Sequence, residues 1–278
     1  MNAADFQTFA AILKQRSGLA LTEDKSYLLE SRLMPVVRKR RLGGLDELAL
    51  LVRKGGDESL LVEITEVMTT NESFFFRDTK PFDQFRDVVM PQLREKRGAR
   101  KSLRIWSAAC SSGQEPYSLA ILLKEMQPTL PGWRFEIVAT DISQEILNKA
   151  KAGIYSQFEV QRGLPIQLLV KYFKQIESGW QIDASIRSAV QFRFFNLLEN
   201  MAGLGTFDVV FCRNVLIYFD QATKGEVLAR IAKQMAPDGY LYLGGAETVL
   251  GISDRFRPSQ GQRGLYEIVT PAGQRATG

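Results

Sequence analysis

The stretch Lys101–Ala120, KSLRIWSAACSSGQEPYSLA, decides what kind of sheet the chain can form. An apolar run with Ile105 at its centre is typical of a buried strand, and small residues then fill positions 107–113. The next residues, Gln-Glu-Pro, open a helix, because proline suits a first turn where its missing N–H costs nothing. A strand, a small-residue loop and a helix N-terminus allow backbone amides to approach a nucleotide cofactor closely. The loop lacks the GxGxxG pattern of dinucleotide phosphate binding.

The next predicted strand, Arg134–Thr140, identifies the kind of cofactor. Asp141 stands at its C-terminal end, where an acidic residue accepts hydrogen bonds from both hydroxyls of an adenosine ribose. Asp141 could instead cap the following helix, but Ser143 precedes QEILNKA and can fill that role. A ribose-binding aspartate without dinucleotide glycines favours S-adenosylmethionine over NAD.

The composition is that of a globular chain. Hydrophobic residues make up 45% of 278 positions, enough for one sizeable domain and a smaller second one. No run approaches the ~20 apolar residues of a membrane helix, and the N-terminus lacks the apolar core of a signal peptide. The sequence therefore predicts a cytoplasmic protein without membrane insertion. A disulfide between Cys110 and Cys212 is disfavoured, and both are expected to stay reduced.

Charge and the absence of histidine narrow the chemistry. The 36 basic and 31 acidic residues give a net charge of +5, which matters only where it is clustered. The chain has no histidine, which excludes histidine-based triads and ordinary catalytic metal sites. We therefore expect no metal, and a nucleophile that is already ionised or is activated otherwise.

The first 97 residues or so show only helical patterns. An apolar stripe over 6–13 ends at Gly18, and a second helix is predicted over Tyr27–Leu42, closed by Gly43–Gly44. Pro35 is expected to kink or break that helix. Further helical patterns are expected at Leu45–Arg53, at Glu58–Met68 and from Phe82 to Leu93.

The second helix carries a basic cluster. No acidic residue interrupts 31–42, which holds Arg32, Arg38, Lys39, Arg40 and Arg41. The cluster is either a solvated helix face or a surface for an acidic partner.

Strands and helices alternate after Asp141, which is typical of a parallel sheet. Strands are predicted at Phe207–Cys212 and Gly239–Gly244, a helix at Gln221–Met235 and an edge strand at Leu265–Val269. Short strands at Tyr172–Ile176, Trp180–Asp183 and Ala189–Phe195 are predicted to form a small antiparallel insert over about 172–195, with a hairpin turn at Glu177–Gly179. The domains expected are a helical domain over 1–75, a linking helix over 76–100, a sheet domain over 101–270 and a tail over 271–278.

Three further polar clusters follow predicted strands or precede the sheet domain. They are TTNESFFFR at Thr69–Arg77, Asn196–Leu197, and RNVLIYF at Arg213–Phe219. Ligands of open α/β sheets bind outside the carboxyl ends of the strands, so all three clusters are expected to meet the loop at 107–113.

With these motifs the sequence resembles the chemotaxis receptor methyltransferases, the CheR-type protein-glutamate O-methyltransferases of bacteria. TTNESFFFRD, IWSAACSSGQEPYSLA, ATDIS, FNLL and FCRNVLIYF follow the order and spacing of that family. Ser73 and Gln114 stand where many members have threonine and glutamate. The resemblance implies a Rossmann-like α/β methyltransferase sheet with a small antiparallel β insert, preceded by an all-α N-terminal domain.

The resemblance also implies roles for individual residues. Those expected around S-adenosylmethionine, or its product S-adenosylhomocysteine, are Asn71, Ser73, Arg77, Gly113, Glu115, Asp141, Asn196, Leu197, Arg213 and Asn214. Arg77 and Tyr218 are expected near the methyl acceptor as catalytic residues. Arg32, Arg38 and Arg41 are expected to bind the acidic methylation region of a chemoreceptor's cytoplasmic domain, in signal transduction by methylation.

This chemistry suits a protein without histidine. A glutamate side chain has a reference pKa of ~4.3 and needs no base at pH 7. Transfer of a methyl group from a sulfonium to a carboxylate removes both charges, so a dry site favours the transition state. Alignment of the reacting atoms supplies the rest.

Two other functions compete with this one. A nucleic-acid methyltransferase would also use a basic domain, but Cys212–Val215 lacks the Asn/Asp-Pro-Pro-aromatic motif of base methylation. A non-catalytic receptor adaptor that binds S-adenosylmethionine would have lost Arg77, Asp141 or Tyr218, and all three are present. We expect a monomer that binds no nucleic acid.

The hairpin of the insert bears on how receptors are recognised. Some family members dock a receptor pentapeptide on a longer, glycine-rich hairpin. The short hairpin of this sequence, flanked by Ile176 and Trp180, predicts that the chain does not depend on that tether.

Overall fold

The computed structural model describes residues 1–55 and 57–269. The chain divides into two compact units, the first formed by Met1–Thr70 and Tyr218–Thr223, the second by Asn71–Ile217 and the described residues from Lys224 onward. The first division therefore falls after Thr70 rather than after the predicted residue 75. The predicted tail at 271–278 lies outside the described residues.

Helices dominate the first part of the chain, and strands and helices alternate after residue 101. The helices are α1 Ala3–Ser17, α2 Ser26–Lys39, α3 Leu45–Arg53, α4 Glu58–Met68, α5 Lys80–Gln84, α6 Met90–Lys96, α7 Gln114–Met126, α8 Gln144–Ala152, α9 Gln157–Gln161, α10 Ile166–Tyr172, α11 Ala184–Arg187 and α12 Gln221–Lys233. The strands are β1 Ser102–Ala108, β2 Arg134–Asp141, β3 Ile154–Tyr155, β4 Phe173–Ile176, β5 Gly179–Ile182, β6 Val190–Phe194, β7 Phe207–Cys212, β8 Met235–Leu243, β9 Phe256–Pro258 and β10 Leu265–Ile268.

The first unit packs α1–α4 around an apolar core. Phe9, Leu13 and Leu33 are completely buried in it. Gly18 ends α1 with φ 78°, a left-handed conformation that glycine adopts without strain.

Helix α2 departs from its prediction at Pro35 and at its end. Its Val36 and Val37 pack in the apolar core, and the helix runs through Pro35 without the predicted break, while the alternative, a kink at Pro35, stays a prediction. It also ends at Lys39, before the predicted Leu42, because Arg41 turns left-handed with φ 56°.

The second unit contains the predicted α/β sheet. Its seven described strands have the order β6-β2-β1-β7-β8-β10-β9. Strands β6, β2, β1, β7 and β8 are parallel, and β10 and β9 are antiparallel additions. The prediction of an edge strand at Leu265–Val269 was wrong, because Phe256–Pro258 pairs with its outer side. That three-residue strand is too short to show a sequence pattern.

The insert also differs from its prediction. Its sheet has the order β3-β5-β4, so it begins at Ile154 and ends at Ile182. The predicted strand at 189–195 is not part of it, since Val190–Phe194 pairs parallel with β2 as the edge of the large sheet. An edge strand is exposed on its open side, and this gave it the mixed polarity of an insert strand.

None of the described helices is long and apolar enough to span a membrane.

Candidate functional site

Parallel pairing brings the carboxyl ends of four strands to one edge of the sheet. Ala108 lies beside Thr140 and Cys212, and Cys212 lies beside Leu243. We call the loops that leave these strands, at 109–113, 141–143, 213–217 and 244–247, the carboxyl edge. Predicted site residues from distant parts of the sequence meet there.

The loop after β1 has an unusual backbone. Ala109, Ser111 and Gly113 have φ values of 56°, 52° and 91°. Left-handed conformations cost free energy for residues with a Cβ, and they cluster at functional sites. Gly113 also lacks room for a side chain, since a Cβ there would lie 3.1 Å from Ala150 Cβ and 3.2 Å from Phe192 Cζ. Glycine is thus required by packing and backbone geometry, independently of any ligand.

Asp141 is buried, with 6% of its surface exposed, and holds the loop after β1. Ser111 N donates to Asp141 Oδ2 (2.8 Å), and Ser143 N donates to Oδ1 (3.0 Å). The Ser143 hydroxyl accepts from Ile146 N (3.1 Å) and caps α8. The helix-cap role therefore belongs to Ser143, as the sequence indicated.

A buried ion pair joins β1 and α7 to the loop after β7. Arg213 Nη1 donates to Glu115 Oε2 (2.9 Å), and Ser107 Oγ donates to Glu115 Oε1 (2.8 Å). Glu115 and Arg213 are 8% and 5% exposed. The Nε of Arg213 is buried and has no hydrogen-bond partner among the described residues.

The same guanidinium holds the segment that carries Arg77. Arg213 Nη2 donates to the Arg77 carbonyl (3.0 Å) and to Asp78 Oδ2 (2.6 Å). Phe76, Asp78 and Thr79 all have positive φ, between 47° and 66°. The backbone around Arg77 is therefore strained and fixed by a buried charge.

The Arg77 side chain lies beside Phe74. Its Nη1 donates to the Glu72 carbonyl (2.8 Å), and its guanidinium carbon lies 5.5 Å from the ring centre. Arg162 stacks on the same ring at 4.3 Å, and its Nη2 donates to Glu72 Oε1 (2.7 Å). The hydrogen bond from Arg162 lowers the pKa of Glu72. Nε and Nη2 of Arg77 have no partner among the described residues, so they are available to an anion.

The other predicted cofactor residues lie on neighbouring segments of this unit. The Asn71 carbonyl accepts from Ser111 Oγ (3.0 Å), which ties its segment to the loop after β1, and Ser73 is half-buried. Asn196 Oδ1 accepts from Leu198 N (3.1 Å) just beyond β6, beside buried Leu197.

Asn214 depends on a residue that the sequence reasoning missed. Asn214 has φ 60°, and its N–H donates to Glu247 Oε2 (2.8 Å). Glu247 lies four residues past the end of β8 at Leu243. It could have been found from the sequence, because ligand-binding polar residues in such sheets follow the carboxyl ends of strands.

Tyr218 belongs to the first unit, where its carbonyl accepts from Ala20 N (2.9 Å).

The predicted acidic-partner surface on α2 is partly neutralised. Arg32 Nη1 donates to the carbonyls of Met68 (2.8 Å) and Thr69 (3.2 Å), so its guanidinium fixes the end of α4. Lys39 and Arg40 both pair with Glu63, which the sequence of α2 alone could not reveal. Of the cluster, Arg38 and Arg41 remain exposed and without an ion pair among the described residues.

Both cysteines are free buried thiols, as expected from the sequence. Burial raises the pKa of Cys110 well above its ordinary value, and the charges of Asp141 and Glu115 add to the effect. Burial likewise raises the pKa of Cys212. Neither thiol is a ready nucleophile, because the thiolate is the reactive form.

The groups at the carboxyl edge fit S-adenosylmethionine. That molecule presents a ribose diol, a carboxylate and an ammonium group, and a positively charged sulfur. The buried carboxylates of Glu115 and Asp141 are suited to accept hydrogen bonds from the cofactor's donor groups and to interact with its positive charges. The orphaned Nε of buried Arg213 is a donor that still lacks an acceptor among the described residues.

The chain matches two family models. The first, "CheR methyltransferase, all-alpha domain", covers residues 4–69, and the second, "CheR methyltransferase, SAM binding domain", covers 71–265. Chemotaxis protein methyltransferase 1 of Pseudomonas aeruginosa is 42% identical, over 94% of this chain and 96% of its own. Chemotaxis protein methyltransferase Cher2 of Pseudomonas putida is 41% identical over the same shares. Chemotaxis protein methyltransferase 1 of Vibrio cholerae is 39% identical over 91% and 92%.

Proposed function

The chain belongs to the CheR methyltransferase family, and from this premise we propose that it methylates glutamate side chains of chemoreceptor cytoplasmic domains, giving glutamyl methyl esters. The family itself establishes S-adenosylmethionine-dependent methylation in chemotaxis. Our proposal goes further by identifying the methyl acceptor as a carboxylate of a receptor protein.

One observation carries this choice of acceptor. Arg77 has its main chain fixed by the buried Arg213, while Nε and Nη2 of its own guanidinium have no protein partner among the described residues. A guanidinium with two such donors matches the geometry of a carboxylate. We propose that Arg77 orients the acceptor carboxylate.

The surrounding groups are suited to an acceptor that is already ionised. The chain has no histidine, and both of its thiols are held neutral by burial. A carboxylate needs no base at pH 7, whereas an amine or hydroxyl acceptor does. S-adenosylmethionine, when bound, supplies an electrophilic methyl group on a positively charged sulfur.

We assign the protein's contribution to binding, orientation and exclusion of water. Glu115, Asp141 and Arg213 would hold the cofactor from an edge where each is less than 10% exposed. Burial strengthens the electrostatic interactions of these groups. Tyr218 is proposed to orient the acceptor carboxylate through its hydroxyl.

The test is methyl transfer from radiolabelled S-adenosylmethionine to a panel of chemoreceptor cytoplasmic fragments. Mild alkali should release the incorporated label as methanol, because carboxyl methyl esters hydrolyse and methylated bases or amines do not. Arg77→Ala should abolish most transfer, while Arg94→Ala, an exposed arginine on α6, should not change it. Alkali-stable label would contradict the glutamate acceptor, and no transfer to any fragment would favour an adaptor role.

We propose that the acidic receptor region is attracted by Arg38 and Arg41. The double charge reversal R38E/R41E should lower receptor methylation and leave the dissociation constant of S-adenosylhomocysteine unchanged. High salt should remove most of the difference, because exposed charges are screened over ~8–10 Å at ordinary ionic strength. Lys25→Glu, at the other end of α2, is the control. Normal methylation by the double variant at low salt would leave this surface without a function.

We also propose that methylation does not depend on a C-terminal receptor pentapeptide. Trp180 packs on the apolar core, and its Nε1 donates to Gln157 Oε1 (2.7 Å), so it is engaged within the insert. Titration of the free pentapeptide should show no binding, and receptors with and without the tail should be methylated equally. Low-micromolar binding of the peptide would contradict this.

A further inference from the structure

The carboxylate of Glu247 accepts hydrogen bonds from the backbone of two loops. Its Oε2 accepts from Gly244 N (2.6 Å) and Asn214 N (2.8 Å). Its Oε1 accepts from Val215 N (3.0 Å) and Ile217 N (3.2 Å). Three of these donors lie on the loop after β7, about 30 residues away in the chain, and one lies on Glu247's own loop.

These donors need an outside acceptor because the loop leaves the sheet. Beyond Cys212 and Leu243 the pairing of β7 with β8 stops, so no strand supplies carbonyls to Asn214 and Val215. A buried or half-buried N–H without a partner costs about 1–3 kcal/mol, and a carboxylate is a strong acceptor. The Glu247 carboxylate thus provides the hydrogen-bond acceptors that a neighbouring strand would otherwise provide to these amides.

The two loops approach each other very closely at this point. A Cβ on Gly244 would lie 2.7 Å from Asn214 Nδ2, 3.0 Å from Asn214 N and 2.8 Å from Glu247 Oε2. Only glycine leaves room for this contact. Asn214 itself is held left-handed, with φ 60°.

We propose that Glu247 is a positioning residue for the cofactor pocket. It fixes the loop Arg213–Ile217 from the side of β8, while Glu115 fixes the Arg213 side chain from the side of β1. Glu247 acts through Arg213 and Asn214, not by touching the cofactor. The inference rests on the proposed cofactor contacts of those two residues and not on the choice of glutamate as acceptor.

The decisive variant is Glu247→Gln. A glutamine keeps one oxygen and replaces the other with an NH₂ group, which would face two N–H donors whichever way it turns. The dissociation constant of S-adenosylhomocysteine, measured by calorimetry, should rise at least tenfold. The stoichiometry should remain one ligand per chain. Glu226→Gln on α12, which removes an exposed pair with Arg230, should bind as wild type does.

A merely structural role gives a different pattern. In that case Glu247→Gln lowers the melting temperature or the stoichiometry, but the folded fraction binds with the wild-type dissociation constant, and the proposal is overturned. If Glu247→Gln does not fold, Gly244→Ala keeps the carboxylate and pushes the loops apart, and it should also raise the dissociation constant severalfold. Unchanged binding by a folded Gly244→Ala overturns the proposal too. Alkali-labile receptor methylation by the wild type tests the proposed function separately.

Discussion

The two ends of β7 carry buried charges of opposite sign in very different surroundings. Near its amino end, Asp208 accepts from Arg97, from Arg100 and from the backbone N–H of Arg104, at 2.8–3.3 Å. Just beyond its carboxyl end, Arg213 donates to Glu115 and Asp78. We call the first region, formed by Asp208 and its partners, the amino edge.

The two regions also differ in the number of residues with left-handed backbone conformations. Asp208 and its partners at the amino edge have no positive φ in the described structure, and Lys101 beside Arg100 is the single described non-glycine residue of 97–104 that does. At the carboxyl edge Ala109, Ser111 and Asn214 do, and so do residues on both sides of Arg77. Strain persists only where surrounding structure fixes it. We therefore propose that the amino edge stabilises the fold, and that the carboxyl edge uses buried charges to hold strained loops for binding.

The largest expected effect is on stability at the amino edge. Asp208→Ala removes a carboxylate whose side chain is 3% exposed and leaves Arg97 and the Arg104 N–H without it. We expect the free energy of unfolding to fall by about 3 kcal/mol in urea titrations. Asp254→Ala, at an exposed aspartate, is the control. A change in S-adenosylhomocysteine affinity of the folded variant as large as the loss in stability would break the distinction between the edges.

At the carboxyl edge the larger effect should be on binding. Asp141→Ala should weaken S-adenosylhomocysteine and S-adenosylmethionine binding by about 1–3 kcal/mol, the cost of leaving buried polar groups unpaired. Calorimetric titration measures the dissociation constant of each ligand. Unchanged affinity would remove Asp141 from the site.

Alkali should lower stability through the two buried thiols, Cys110 in the loop after β1 and Cys212 at the end of β7. Burial raises the pKa of the Cys110 and Cys212 thiols, so the folded state keeps protons that the unfolded state loses above its pKa of ~8.5. Stability from this source is full below pH ~8.5 and declines as the pH rises, by about 1.4 kcal/mol per thiol at pH 9.5. Urea titrations at pH 8 and pH 9.5 measure the decline. Cys110→Ala should remove the part of the decline that comes from the Cys110 thiol. A decline identical to that of the wild type would contradict the assignment of the pH dependence to that thiol.

The smallest effect should come from a half-exposed partner at the amino edge. The Arg100 side chain is 53% exposed, so its pair with Asp208 is solvated on one side. Arg100→Ala should lower the free energy of unfolding by only about 0.5–1 kcal/mol. A loss equal to that of Asp208→Ala would mean that Arg100, rather than Arg97 and the Arg104 N–H, compensates the buried carboxylate.

The elements that were predicted correctly are those determined by residues close together in the sequence. The strand, loop and helix over 102–126 and the cap at Ser143 depend on neighbouring residues, and the structure has them where the patterns indicated. The pairing of β6 with β2 and of β9 with β10 depends on partners distant in the chain, which a strand pattern does not identify.

The same limit applies to side chains. Arg32 looked like part of a free basic surface, but its partners are carbonyls 36 and 37 residues away. No local sequence motif marks Glu247, because its hydrogen-bond partners are backbone amides of the loop after another strand, β7. The sequence predicted Asp141 and Glu115 as cofactor residues but could not reveal which residues hydrogen-bond to them.

The most direct test of the account is hydrogen–deuterium exchange of backbone amides with and without saturating S-adenosylhomocysteine. The ligand should slow exchange in the loops of the carboxyl edge, above all in 109–115 and 213–217. Peptides of the amino edge, around Arg100–Arg104 and Asp208, should change far less. Slowed exchange confined to the amino edge, with the loops of the carboxyl edge unaffected, would contradict the assignment of the cofactor site.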